Sequence, residues 1–251
     1  MRNVKLTLMY DGSEYFGFAK QSARGGEATP TVALRLEEAI SKFLDRKTQI
    51  LGASRTDRGV HAIGQTINFL CFSEIRTENL KSAINFYLPG DIRILKAEEV
   101  SLDFHSRFSA KEKEYCYTIF EGPEVPYNFR GFAHHVHRPI GLDGLKAAAG
   151  FLIGEHDFAS FGSENKGNTV RKMFEIKIEE ELHRMGRIIR IYFRANAFLY
   201  KMIRSIVGTI LEVGMEKREK GEIPEILEAK DRKRAGVCAP PQGLCLMKVG
   251  Y

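Results

Sequence analysis

LGASRTDRGVHAIGQTINF, from Leu51 to Phe69, is the stretch that decides how this chain is read. Its centre places Arg55 two residues before Asp57 and Gly59 two residues after it, where glycine allows a sharp turn. If residues 55–57 are extended, the side chains at i and i+2 point the same way. A guanidinium beside a carboxylate keeps the acid ionised, and an ionised, positioned carboxylate is a candidate nucleophile or base. The same spacing also suits an Arg/Asp turn that only satisfies backbone groups. Spacing alone leaves both readings open, because structural ion pairs perturb carboxylates too.

Outward from this stretch, the apolar periodicity predicts the elements around it. Gln49 to Leu51 and Gln65 to Phe72 read as strands, and Val4 to Tyr10 alternates like one. Thr31 to Leu44 reads as a helix with Leu34, Ala39, Ile40 and Phe43 among its apolar positions and Thr31 as N-cap. Glu78 to Tyr87 reads as a helix stopped by Pro89-Gly90. Asp91 to Val100 returns as a strand. The order is β-α-β-β-α-β, the ferredoxin-like arrangement.

The second half repeats that order with longer insertions. Glu114 to Phe120 reads as a strand and Leu142 to Ile153 as a helix. Val170 to Glu181 and Arg187 to Arg194 read as paired strands. From Phe198 to Val213, Leu199, Met202, Ile203, Ile206, Val207 and Ile210 recur at helical spacing. Leu244 to Val249 is expected to close the sheet. The expected fold is therefore α+β: two ferredoxin-like halves, residues 1–103 and 104–251, with mainly antiparallel sheets flanking a central active-site cleft.

The 251 residues, 43% hydrophobic, suffice for a sizeable core. With 38 Lys+Arg against 32 Asp+Glu, the net charge of +6 suits a polyanionic partner such as RNA, although an ordinary basic protein would show the same excess. Cys71, Cys116, Cys238 and Cys245 form no C-x-x-C pair, so no zinc ribbon is expected and reduced cytosolic thiols fit better than disulfides. The N-terminus runs directly into a strand pattern without a signal-peptide core, and no segment is long enough to span a membrane. A cytoplasmic protein is expected.

Several further motifs stand in order along the chain: Tyr10-Asp11-Gly12-Ser13-Glu14-Tyr15-Phe16-Gly17, Asp103-Phe104-His105-Ser106-Arg107-Phe108-Ser109-Ala110, Lys113-Glu114-Tyr115-Cys116-Tyr117, Phe198-Leu199-Tyr200-Lys201-Met202-Ile203-Arg204 and Gly243-Leu244. Together with Leu51–Phe69 they resemble the TruA family of tRNA pseudouridine synthases. The resemblance implies isomerisation of uridine to pseudouridine at positions 38, 39 and 40 of the tRNA anticodon stem-loop by a homodimer. The C1′–N1 bond breaks, the uracil turns over, and C1′ bonds to C5. No redox step or group donor is involved, so no cofactor is expected.

The resemblance also implies the site residues. Asp57 matches the catalytic nucleophile. Tyr115 matches a tyrosine that stacks on the target uracil, where its strand pattern alone would equally allow core packing; for Tyr117, core packing is the preferred reading. Arg204 lies off the apolar stripe of its helix and could be a solvated charge, but it matches the arginine that pairs with the catalytic aspartate. Arg55 matches a residue that helps displace the flipped nucleotide, and Arg58 is a further substrate-binding candidate. Arg107, Lys111, Lys113, Lys166, Arg171 and Lys172 could track phosphates, which would make binding salt-dependent.

The chain departs from the family pattern at Gly17-Phe18-Ala19-Lys20-Gln21, where Trp-Gln usually follows the glycine. It also departs in a longer connection from Gln21 to Thr31 containing Arg24-Gly25-Gly26-Glu27, at Ser54 where glycine is common, and at Ala235-Gly236-Val237-Cys238-Ala239-Pro240. None of these touches Asp57, Tyr115 or Arg204.

His134-His135-x-His137 has metal-like residue types, but no carboxylate or cysteine completes an obvious set, so no metal is expected. Gly25-Gly26 lacks a Walker lysine and is not a nucleotide loop. Two rival functions remain in view besides a related synthase acting at other tRNA positions. A non-catalytic RNA-binding module would need sheet aromatics of the RNP type. A carboxylate-dependent nuclease would need a second acid or a metal cluster.

Overall fold

The computed structural model describes residues 1–21, 29–163 and 167–251. The segment holding Arg24, Gly25, Gly26 and Glu27, and the phosphate candidate Lys166, lie outside the described residues. The chain is of mixed α+β class and divides into two compact units, Met1–Lys111 with Cys245–Tyr251, and Glu112–Leu244.

The first unit begins with β1 (Arg2–Tyr10), α1 (Val32–Leu44), β2 (Leu51–Gly52), β3 (His61–Cys71), α2 (Thr77–Tyr87) and β4 (Ile92–Val100). β1 lies antiparallel to both β3 and β4, and β2 pairs with β3 through Leu51 opposite Asn68, so the order is β4-β1-β3-β2. That is the βαββαβ order expected from the periodicity. Val4, Leu6 and Leu8 alternate into complete burial on β1, and Leu36, Ile40, Leu80 and Ile84 are fully buried on the two helices. Each such side chain contributes roughly 1.5–3 kcal/mol by leaving water. Thr31 caps α1, its hydroxyl accepting from the Leu34 N–H at 3.3 Å. α2 ends at extended Leu88, before Pro89-Gly90.

The second unit contains β5 (Glu112–Glu121), β6 (His134–Val136), α3 (Leu142–Gly150), β7 (Gly154–Asp157), β8 (Val170–His183), β9 (Gly186–Ala195), α4 (Met202–Gly214) and α5 (Glu222–Ala229). β9 runs antiparallel to β5 and β8, β7 extends beyond β8, and β6 lies parallel to the end of β5. Tyr117, Ile119, Ile191, Phe193, Ile206 and Ile210 are fully buried here. The last strand, β10 (Leu244–Gly250), runs parallel to β3 with Cys245 opposite His61.

Two helix boundaries, and one helix that the periodic pattern did not predict, differ from expectation. α4 begins at Met202 rather than Phe198, because Lys201 sits in the left-handed region at φ 61° and interrupts the helix before it starts. Leu199 therefore leaves the helical stripe and is half-buried in the preceding turn, its carbonyl accepting from the Met202 N–H. α3 stops at Gly150, three residues before the expected end. α5, which follows a charged and glycine-containing run, owes its order to tertiary burial of Ile223, Ile226 and Leu227.

Candidate active site

In the first unit, the segment after β2 leaves the sheet and returns as β3, and Asp57 stands at its turn. Asp57 is half-buried, between buried Thr56 and exposed Arg58. Its carbonyl accepts from the Val60 N–H at 3.2 Å, closing a four-residue turn. Gly59 occupies the third position of that turn at φ 76°, a backbone conformation that glycine adopts without strain.

The first motif of the chain packs against this turn along its backbone. Phe18 N–H donates to the Thr56 carbonyl at 3.1 Å, and Gly59 N–H donates to the Tyr15 carbonyl at 3.4 Å. Gly12 lies so close that a β-carbon there would overlap the Val60 carbonyl. Its N–H donates to Nδ1 of buried His61 at 3.0 Å. The Tyr10 and Thr56 hydroxyls are hydrogen-bonded at 2.7 Å. Tyr15 donates its hydroxyl to Asp91 at 2.8 Å, and burial, reinforced by that carboxylate, holds the phenol well above the usual tyrosine range.

Gln65 clamps the incoming arm. Its side-chain oxygen accepts from Ser54 N–H at 3.2 Å while its amide donates to the Ser54 carbonyl at 2.8 Å. Gln65 is completely buried, so both backbone groups of Ser54 are satisfied away from water. Motif matching did not single out Gln65. The signal was present: it falls in phase with Ile67 and Phe69, on a strand face that is buried.

The arginines of this segment are placed differently. Arg55 is exposed and forms no ion pair with Asp57 or with any other described residue, so the local Arg-Asp pair that spacing allowed is not made. Arg58 stacks its guanidinium on the Phe16 ring, 4.1 Å from the centroid.

Tyr115 and Arg204 belong to the second unit. Tyr115 lies on β5, buried and edge-on to Phe198 with ring centroids 5.2 Å apart. Tyr117, two residues on, is fully buried and donates to the Pro240 carbonyl at 2.8 Å, in keeping with core packing. Burial pushes its hydroxyl far up, with the Arg204 charge opposing. Arg204 stands in the first turn of α4, its Nε donating to the Ala239 carbonyl at 2.8 Å while Ala239 N–H donates back to the Arg204 carbonyl at 3.0 Å. Among the other basic candidates, Arg171 turns back onto the carbonyls of Asn168 and Val170.

The three histidines find ordinary partners or ring neighbours. His134 is edge-on to Tyr117, His135 meets the Gly122 carbonyl at 2.9 Å, and the His135 and His137 rings lie 4.1 Å apart. No group of three or more His, Cys, Asp or Glu among the described residues could hold a metal ion.

Similarity to known sequences identifies the class of this chain of two α+β units. A family model described as tRNA pseudouridine synthase matches residues 7–109 and 148–251. This chain belongs to the tRNA pseudouridine synthase family, and it is an isomerase. More particularly, it is 44% identical over 255 aligned positions to "tRNA pseudouridine synthase A 2" of Clostridium perfringens, covering all of both chains. It is 41% identical to "tRNA pseudouridine synthase A" of Caldicellulosiruptor bescii and 40% identical to the protein of that name from a Thermoanaerobacter species, again over the full length of each. No described helix is long and apolar enough to cross a membrane.

Proposed function

We propose that this enzyme converts uridines 38, 39 and 40 of the tRNA anticodon stem-loop to pseudouridine, with Asp57 as the nucleophile. The observation that carries the reading is the construction of the Asp57 turn. Its backbone is held by Phe18, Tyr15 and Val60, and its approach arm by Gln65, so the main chain that presents the carboxylate is set before substrate arrives. Preorganisation of this kind suits a reaction in which a cleaved base must be retained, turned and rejoined without water intervening.

Under the same proposal Tyr115 provides the ring on which the uracil stacks, Arg204 the counter-charge for the carboxylate, and Arg55 and Arg58 contacts to the RNA. Exposure of Arg55, with no ion-pair partner among the described residues, supports an outward role for it. Stacking on an extruded base is how enzymes reach an atom inside a helix. A homodimer working in the cytoplasm completes the reading.

Tritium release tests it. Purified protein is incubated, without added metal, with tRNA tritiated at uridine C5. Pseudouridine formation expels that label, whereas binding or phosphodiester cleavage does not. The wild type is expected to release tritium and Asp57→Asn to release none. Full turnover by Asp57→Asn would remove Asp57 from the chemistry, and mapping of the product would place the modified uridines.

A further inference from the structure

The loop between β4 and β5 carries an aromatic and basic cluster with no part in the proposed chemistry. Phe108 is 76% exposed. The His105 ring lies against it with centroids 4.3 Å apart, and the exposed Arg107 guanidinium lies 5.6 Å from its centroid. Arg107 makes no ion pair among the described residues, and Asp103, the carboxylate of the loop, is hydrogen-bonded to Ser101.

Beneath these side chains the loop is firmly built. His105 Nδ1 accepts from the backbone N–H groups of Arg107 and Phe108 at 3.1 and 3.4 Å. The Ser109 hydroxyl accepts from His105 N–H at 3.1 Å, and Ser109 N–H donates to the His105 carbonyl at 2.9 Å. Fully buried Ser106 donates its hydroxyl to the Leu51 carbonyl at 2.6 Å and its N–H to Asn68 at 2.9 Å. The backbone that carries the exposed ring is therefore fixed, which lowers the ordering penalty of any contact made on it.

We infer that Phe108, with His105 and Arg107, is a stacking platform for an unpaired nucleotide of the RNA substrate, Arg107 meeting its phosphate. An exposed aromatic face on a fixed loop, beside a guanidinium with no ion pair among the described residues, is the combination that binds a base and its phosphate together. Ser106 ties the platform to Leu51, six residues before Asp57. Six residues of chain span at most about 20 Å, which is on the order of six stacked nucleotides. One RNA strand can therefore meet both places. The inference rests on the RNA-modifying reading above and adds a binding contact outside its reacting residues.

The test uses the full chain and a single-stranded RNA oligonucleotide carrying 2-aminopurine, followed by anisotropy and by quenching of the base. Phe108→Ala is expected to weaken binding about tenfold and to abolish quenching, while Phe108→Trp restores both. Arg107→Ala is expected to flatten the dependence of log Kd on log salt by about 0.7, one phosphate contact. Phe86→Ala, at an aromatic 82% exposed on α2, should bind as the wild type does. Unchanged binding and quenching in Phe108→Ala would overturn the platform. So would a fall in sedimenting mass with RNA affinity intact, which would make the ring a contact between two copies of the chain. Should Phe108→Ala unfold, the Phe108→Trp and Arg107→Ala results decide. Absence of tritium release by the wild type would defeat the proposed reaction and leave this binding result readable.

Discussion

Gly17 packs its backbone against the carbonyl of Thr56, so that a β-carbon at position 17 would stand 2.6 Å from the Thr56 oxygen. Gly17 is also held at φ 93°. The residue before the candidate nucleophile is thus positioned by a site that only glycine fills without strain. Gly17→Ala combines a left-handed backbone with a clash against main chain that cannot swing aside, and should destabilise the protein by about 1–3 kcal/mol. Denaturant unfolding checks this. Tritium release measured well below the midpoint should fall as well, because relief of the clash displaces Thr56 and Asp57 together.

Gln65→Leu keeps the size of the side chain and removes its amide. Ser54 N–H and C=O then lose the Gln65 amide in a buried setting, which costs about 1–3 kcal/mol for each group left unsatisfied. A lower midpoint of chemical denaturation is expected, with wild-type dependence on denaturant. Gln65→Glu should be worse than wild type too, since an ionised carboxylate has no N–H to offer the Ser54 carbonyl.

The stacked pair of Arg58 and Phe16 gives a prediction in RNA binding. Arg58→Ala should reduce the slope of log Kd against log salt by about 0.7–0.9, as expected for one phosphate contact. Phe16→Leu should weaken binding through Arg58, which it would leave charged but unsupported. A double-mutant cycle measured by filter binding should therefore be non-additive, with the second substitution adding little once Arg58 is absent.

Alkaline pH should destabilise the fold through its tyrosines. Burial pushes the Tyr251 hydroxyl up to about 12 from an ordinary value of 10.0, with a hydrogen bond to Thr66 opposing. Burial raises Tyr15 and Tyr117 in the same direction. The unfolded chain loses these protons first, so stability is intact below pH ~10 and falls as pH rises toward ~12. Thermal melts across pH 9 to 12 should show that fall, and Tyr251→Phe should show a shallower one. Absorbance of tyrosinate in the native protein should lag behind that of unfolded chain over the same range.

Much of the architecture was legible because it is written in local patterns. Val4, Leu6 and Leu8 alternate, and the strand they form buries all three. Thr31 precedes a helical stripe and caps it. The α4 start was misplaced for a physical reason: Leu199 matches the helical phase, yet phase does not register that Lys201 turns left-handed. The candidate site was legible as a motif and illegible as a construction. Arg55, Asp57 and Gly59 could be read directly, whereas Tyr10, Gly17 and Gln65 support them from other elements.

Periodicity, capping and turn chemistry in the chain alone determined the βαββαβ succession of the first unit and the main strands and helices of the second, but not β6, β7 or α5; the motif order determined the family. Whether Arg55 would pair with Asp57, and what would hold Thr56 and Ser54, were decided only on folding. Those outcomes depend on backbone and side chains that meet across dozens of residues, such as Tyr10 with Thr56 and Gly17 with the Thr56 carbonyl. Local preference acts over a few residues, but burial and hydrogen-bond satisfaction are settled between elements.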